Sequence, residues 1–189
     1  LEVGDLKQVQ VEFENVAASG SFLDLAYVNL GSAYENAGFN QLALDAYTKA
    51  TQANPDNVTA HYRLSLMYSE SGDNENAIKE CYEVIRLDPT DGRPYFHLGV
   101  MYYNAAVVGN KYDEATLDVA IQKFKEALLA DSENVECHNH LAGAYLLKGD
   151  IQRDKSQALK SYQDALREAD LAIASAKQNV RFGLSFPRK

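Results

Sequence analysis

The sequence predicts an all-α fold, a right-handed superhelical solenoid of antiparallel helix pairs, and three observations predict it. The first is self-similarity at one interval: Leu30, Leu64 and Leu98 stand 34 residues apart, and Tyr34, Tyr68 and Tyr102 follow in the same rhythm. Pro55 and Pro89 keep it, as do Gly38 with Gly72, Tyr47 with Cys81, and Ala50 with Val84. The second is the apolar spacing of i, i+3, i+4 and i+7, which gives each helix one stripe that a neighbouring helix must cover. The third is a column of small residues, Gly31, Ser65, Gly99 and Ala142. Glycine inside a helix costs about 1 kcal/mol relative to alanine, so a close helix-helix contact is the expected compensation.

Each element follows from these signals. Asn57 and Asp73 sit where helix N-caps are wanted, and Pro55 and Pro89 where the second helix of a pair must stop. The repeats so bounded run 24–57, 58–91, 92–134 and 135–176. The third carries nine extra residues between Tyr102 and Ala120, so its turn is longer or its second helix starts early. The fourth carries four, placed at the turn around Ile151-Gln152-Arg153-Asp154. Val9, Phe13 and Val16 stand 34 before Ala43, Tyr47 and Ala50, so residues 4–19 read as the second helix of a half-repeat within a capping segment, 1–23. Leu159, Tyr162, Leu166, Ala169 and Ile173 extend a long last helix, and residues 177–189 form a basic tail whose segment from Val180 to Pro187 is not expected to prolong it.

Leu30-Gly31, Tyr34, Ala43, Tyr47, Ala50 and Pro55 together resemble the tetratricopeptide signature: Leu-Gly and Tyr in the first helix, then Ala, an aromatic, Ala and a closing Pro. The resemblance covers about four-fifths of the chain and implies stacked helical hairpins that bind other polypeptides. Some members, the co-chaperones, clamp the carboxylate terminus of chaperone tails with Lys and Asn in one repeat, Asn in the next, and Lys and Arg in the third. The matching places here hold Val28 and Ser32, then Arg63, then Arg93 and His97. Arg93 and His97 keep the character and the others do not, which argues against the complete clamp.

Composition narrows the function. A net charge of -9 over 189 residues, with 18 Lys and Arg against 27 Asp and Glu, disfavours nucleic acid, which needs a concentrated basic surface. The tail holds four of the positive charges and no acid, leaving the rest at -13. Cys81 and Cys137 form no CxxC pair, so neither a disulfide framework nor a thiolate zinc site is expected. No stretch approaches the roughly 18 apolar residues of a membrane span. The start at Leu1 suggests a piece of a longer chain or a processed product, and leaves the compartment open.

No hydrolase elbow, phosphate loop, HExxH or dinucleotide fingerprint occurs, so no enzyme, cofactor or metal is expected. His138 and His140, two apart on a helix, point about 200° away from each other and cannot share an ion. His61 and His138 occupy the column of Tyr27 and Tyr95 and read as packed residues. The working surface is instead the face of each first helix turned away from its packing stripe. One column there reads Asn29, Arg63, His97, His140; its neighbour reads Val28, Tyr62, Phe96, Asn139; Leu66, Val100, Tyr103 and Arg93 lie along it. In so acidic a chain these residues suit a partner peptide or protein segment with apolar anchors and a carboxylate. If Arg63 is not free for such a partner, Glu70 is its expected mate. The leading expectation is therefore a peptide-binding scaffold for a larger complex. Self-association as a homo-oligomer, or service as the docking region of a larger protein, are the alternatives.

Overall fold

A computed structural model describes residues 11, 13, 22–108 and 111–181, in two compact units, Leu1–Pro89 and Thr90–Lys189. The expected helix at 4–19 lies outside the described residues except for Val11 and Phe13, both helical; the Phe13 ring sits 4.7 Å from that of Tyr27.

The first unit contains α1 (Leu23–Asn36), α2 (Asn40–Ala53), α3 (Val58–Glu70) and α4 (Asn74–Leu87). The helices pair α1 with α2 and α3 with α4, and α2 packs on α3. Gly38 and Gly72 explain the short turns inside each pair. Both adopt positive φ, 79° and 82°, a conformation that closes a helix at little cost only for a residue without Cβ. The next amides then return to the helix, Phe39 N–H to the Tyr34 carbonyl and Asp73 N–H to the Tyr68 carbonyl. The expected caps are in place: Asn57 accepts from Ala60 N–H and Asp73 from Asn76 N–H. Pro55 and Pro89 fall two residues past the ends of α2 and α4. Asp24 on α1 accepts from the amides of both Asn54 and Asn57 at 2.8 Å, which ties the first pair to the start of the second.

The second unit contains α5 (Gly92–Ala106), β1 (Val107–Val108), β2 (Lys111–Tyr112), α6 (Glu114–Ala130), α7 (Val135–Ile151) and α8 (Lys155–Arg181). The two strands, two residues each, lie within the lengthened connection of an otherwise helical unit. Val107 pairs with Tyr112 and Val108 with Lys111, antiparallel, as β-branched and aromatic residues favour. The nine extra residues are distributed: relative to the pair α3 and α4, two lengthen α5, four lengthen the connection and three lengthen α6. The four extra residues of the last pair do not enlarge its turn. They lengthen α7 to 17 residues against 13 in α3, and the connection to α8 stays short. The last helix is also longer than expected, carrying residues 177–181 to Arg181.

Close approach within pairs is the shared packing device. A Cβ on Gly31 would stand 2.7 Å from the Tyr47 ring, one on Gly99 2.6 Å from Phe124, and one on Gly149 2.5 Å from Tyr162. Ser65, fully buried, takes the corresponding place where the facing residue is the smaller Cys81. Tyr47, Leu64 and Met67 centre the core of the first unit, and Leu117, Phe124 and Leu141 that of the second.

Gly31→Ala should therefore cost about 1–3 kcal/mol through overpacking against Tyr47. Gly143, whose added Cβ would meet nothing within 4 Å, should gain roughly 0.5–1 kcal/mol on the same change. Urea unfolding of the two variants measures both, and equal stabilities would contradict the packing account.

Candidate functional site

The predicted surface residues divide between the units. In the first, Asn29 is exposed on α1, and Tyr62, Arg63 and Leu66 are half-buried on α3. The Arg63 guanidinium lies 3.4 Å from the Glu35 carboxylate, not against Glu70. Glu35 reaches it because α1 and α3 are both first helices, and the same carboxylate accepts from the Tyr47 hydroxyl at 2.6 Å. Burial, then Glu35, push the Tyr47 phenol well above its usual range. Arg63 keeps most of its N–H groups beyond that one long contact.

In the second unit Arg93 is exposed on the first turn of α5, where its guanidinium grips Asp91 at 2.6 to 3.0 Å. Asp91 is also the N-cap, accepting from Arg93 N–H. Phe96, His97, Val100 and Tyr103 are half-buried along α5; Asn139 is exposed and His140 half-buried on α7. The Phe96 ring meets His140 edge-on at 5.3 Å, and both contact Phe124. The α5 and α7 columns are thus brought side by side within this unit. Val100 and Tyr103 also pack against the core, so their buried portions serve stability.

The column of Tyr27, His61, Tyr95 and His138 packs as expected but carries more electrostatics than an apolar column. Lys49 and Lys123 lie over the Tyr27 and Tyr95 rings at 5.9 and 5.6 Å. The two histidines are instead held between acceptors. His61 Nδ1 meets Glu80 at 2.6 Å and its Nε2 the Pro55 carbonyl at 2.9 Å. His138 Nδ1 meets Glu168 at 2.7 Å and its Nε2 the Ser132 carbonyl at 3.0 Å. A carbonyl and an ionised carboxylate only accept, so the His61 ring donates from both nitrogens. The Glu80 hydrogen bond raises its pKa above the usual imidazole value, against burial and with help from the Pro55 carbonyl and Glu83. Glu168, buried where Ala50, Val84 and Ala127 stand on the earlier second helices, is the residue that sequence reasoning missed. A carboxylate in a small-residue column is the signal that would have found it. Arg167 holds its other oxygen at 3.1 Å.

Burial pushes the Cys81 thiol up to about 11 and that of Cys137 up to about 12, so both are poor nucleophiles at neutral pH. Among the described residues no cluster of three or more His, Cys, Asp or Glu is placed to hold a metal ion. No helix among them is long and apolar enough to cross a membrane. A cleft of about 570 Å³ opens between α6, α7 and α8, lined by Lys125, Lys148 and Lys160 with Glu114, Asp118 and Asp164. Lys148 is paired with Asp118 there.

Antiparallel helix pairs, two of them closed by glycine turns and three with a glycine under a facing aromatic ring, define a helical-hairpin repeat protein. Residues 28–92 match the family model described as tetratricopeptide repeat. BBSome complex member BBS4 of Bos taurus is 25% identical over 125 residues, 66% of this chain and 22% of that protein. Small glutamine-rich tetratricopeptide repeat-containing protein 2 of Mycosarcoma maydis is 24% identical over 102 residues, 54% of this chain and 26% of that protein. The chain thus spans about a quarter of the length of these curated relatives. Among solved structures, a crystal structure of MamA superposes with a TM-score of 0.66 at 15% identity, covering 99% of this chain and 95% of that one. The first repeat domain of Spaghetti (RPAP3), bound to the HSP90 peptide SRMEEVD, gives 0.56 at 21% identity, covering 64% and 89%. At such identities the likeness is one of fold.

Two outcomes follow from the histidines. A group whose folded pKa is raised contributes stability in full below its unfolded pKa and loses it as pH rises through the folded value. Wild type should therefore lose more stability than His61→Gln as pH climbs past the ordinary imidazole range, in denaturant titrations at matched salt. Glu168→Ala alone should cost about 1–3 kcal/mol by leaving the buried His138 Nδ1 without its partner, whereas His138→Tyr with Glu168→Ala, which restores the pairing of column types seen in the first and third repeats, should recover most of it.

Proposed function

We infer that the chain is a non-catalytic protein-interaction scaffold whose first-helix faces receive a partner peptide or protein segment and help assemble a larger complex. The observation that carries this reading is the contact of Phe96 with His140, which joins the α5 and α7 faces into one surface. Beside it lie His97 and Tyr103, half-buried, and Asn139, exposed. Such a surface offers rigid aromatic contact with polar groups at its rim, the composition of binding hot spots. On α3, Arg63 offers a guanidinium on the matching face. The family match and the peptide-bound RPAP3 domain of similar fold support the reading. The partner's chemistry is apolar anchors with a carboxylate, which Arg63 grips through its uncommitted N–H groups while Glu35 orients it. Arg93, committed to its own helix cap, contributes less.

The test is a panel of synthetic peptides, SRMEEVD among them, each with a free or an amidated C-terminus, titrated by fluorescence anisotropy. Wild type should prefer free carboxylates, and Arg63→Ala should erase that preference by about tenfold, the worth of one charge-assisted hydrogen bond. Absence of any preference in wild type would remove the carboxylate from the proposal. Phe96→Ala is a poor probe because the ring packs against Phe124 and His140.

A further inference from the structure

The long last helix presents two different faces. Ser161, Ala165, Glu168, Ala172 and Ser175 are buried, a run of small side chains with one paired carboxylate that packs α8 on α7. Turned roughly 120° from it, Leu159, Tyr162, Leu166, Ala169 and Ile173 fall within an arc of about 80°. Leu159, Leu166 and Ile173 are 58%, 65% and 52% exposed. An apolar stripe some four turns long is more than scattered surface residues explain.

Comparison with the other second helices shows that this stripe is not a requirement of the repeat. Aligning Ser161 and Ala165 with Ala43 and Tyr47 of α2 puts Leu159 and Leu166 at Gln41 and Thr48. Aligning them with Ala120 and Phe124 of α6 puts them at Asp118 and Lys125. The positions are polar on these two helices and leucine on α8, while α4 places Glu75 and the exposed Tyr82 there. Tyr162, by contrast, matches the apolar Leu44 and Ile121, and its ring lies over Gly149 of α7.

Charge identifies the occupant. Lys155 lies in line with the stripe before it and Lys177 just after it, both exposed and both without an ion pair among the described residues. They stand ~33 Å apart along the axis. Lys160 and Arg167, the latter paired with Glu168, lie beyond one flank, while Asp170 borders the stripe on α8 and Asp150 of α7 accepts from the Tyr162 hydroxyl. On a chain of net charge -9 this is a local excess of positive charge. We propose that the Leu159–Ile173 stripe of α8 docks an amphipathic helix of a partner protein, with apolar side chains at i, i+3, i+4 and i+7 and Asp or Glu beside them. Apolar contact supplies the affinity, and the lysines at either end set which helix is accepted. A membrane surface fits less well, because the stripe is narrow, its other side is packed on α7, and the chain's net charge repels anionic lipid.

The test uses a fluorescein-labelled synthetic helix of about 20 residues with a leucine stripe and glutamate flanks, and a twin with lysine flanks. Wild type should bind the glutamate helix. Leu166→Gln and the double reversal Lys155→Glu with Lys177→Glu should each weaken it about tenfold, with unchanged circular dichroism, since these side chains are exposed. The reversed protein should prefer the lysine twin, whereas Arg63→Ala should leave binding unaltered. Equal binding of the twins, binding lost with Arg63→Ala, capture by anionic vesicles in place of the helix, or an α8-dependent dimer in sedimentation would each overturn the proposal. So would a gain in helix affinity on deleting residues 182–189.

Discussion

The repeat depends on how near two helices of a pair can come. In three pairs an aromatic ring lies flat in the space a side chain would take: Tyr47 over Gly31, Phe124 over Gly99, Tyr162 over Gly149. The helical cost of glycine is about 1 kcal/mol, while a buried aromatic recovers more than that in contact, so the exchange favours the pair. The second pair fills this contact differently, with Ser65 and Cys81, both fully buried, meeting between its helices. In every pair at least one of the two facing residues is small, and close packing leaves no void for a larger combination.

Around this contact the second units of binding energy are polar and differ from repeat to repeat. Asp24 gathers two asparagine amides, Glu35 gathers Tyr47 and Arg63, and His138 is enclosed by Glu168 and a carbonyl. Each such cluster crosses between helices around a carboxylate, half-buried at Asp24 and Glu35 and buried at Glu168. They give each pair an individual partner, so that hairpins of similar shape do not become interchangeable in packing. They also determine what remains for binding: Arg63 keeps spare donors, while Arg93 is bound into its own cap.

Much of this was legible in the residues because the 34-residue rhythm repeats whole columns. Gly38 and Gly72 kept the rhythm without being read as turns, Asn57 and Asp73 marked helix starts, and Gly31 and Gly99 marked close contact. What stayed hidden needed geometry across helices. Glu70 looked the natural mate of Arg63 because it is near in sequence, yet Glu35, 28 residues away, has it. The placement of inserted residues was hidden for a related reason: a break in rhythm reveals how many residues were added, but helix and loop absorb them equally well on paper. The strands at Val107–Val108 and Lys111–Tyr112 form where the added residues favour extended backbone. The surface columns were legible as a list; their division between two units was not.

The four residues added to α7 have a geometric consequence. Four residues advance a helix by about 400°, one turn and a little more, so every side chain beyond them returns close to its former bearing. Gly149 can thus meet Tyr162 one layer past the level of Ala142, and Lys148 still reaches Asp118. Two added residues would have swung that end of the helix to the opposite side. The first helix of the last pair thus grows by about a whole turn and keeps its facing contacts, whereas α5, only two residues longer than α3, runs straight into the extended connection.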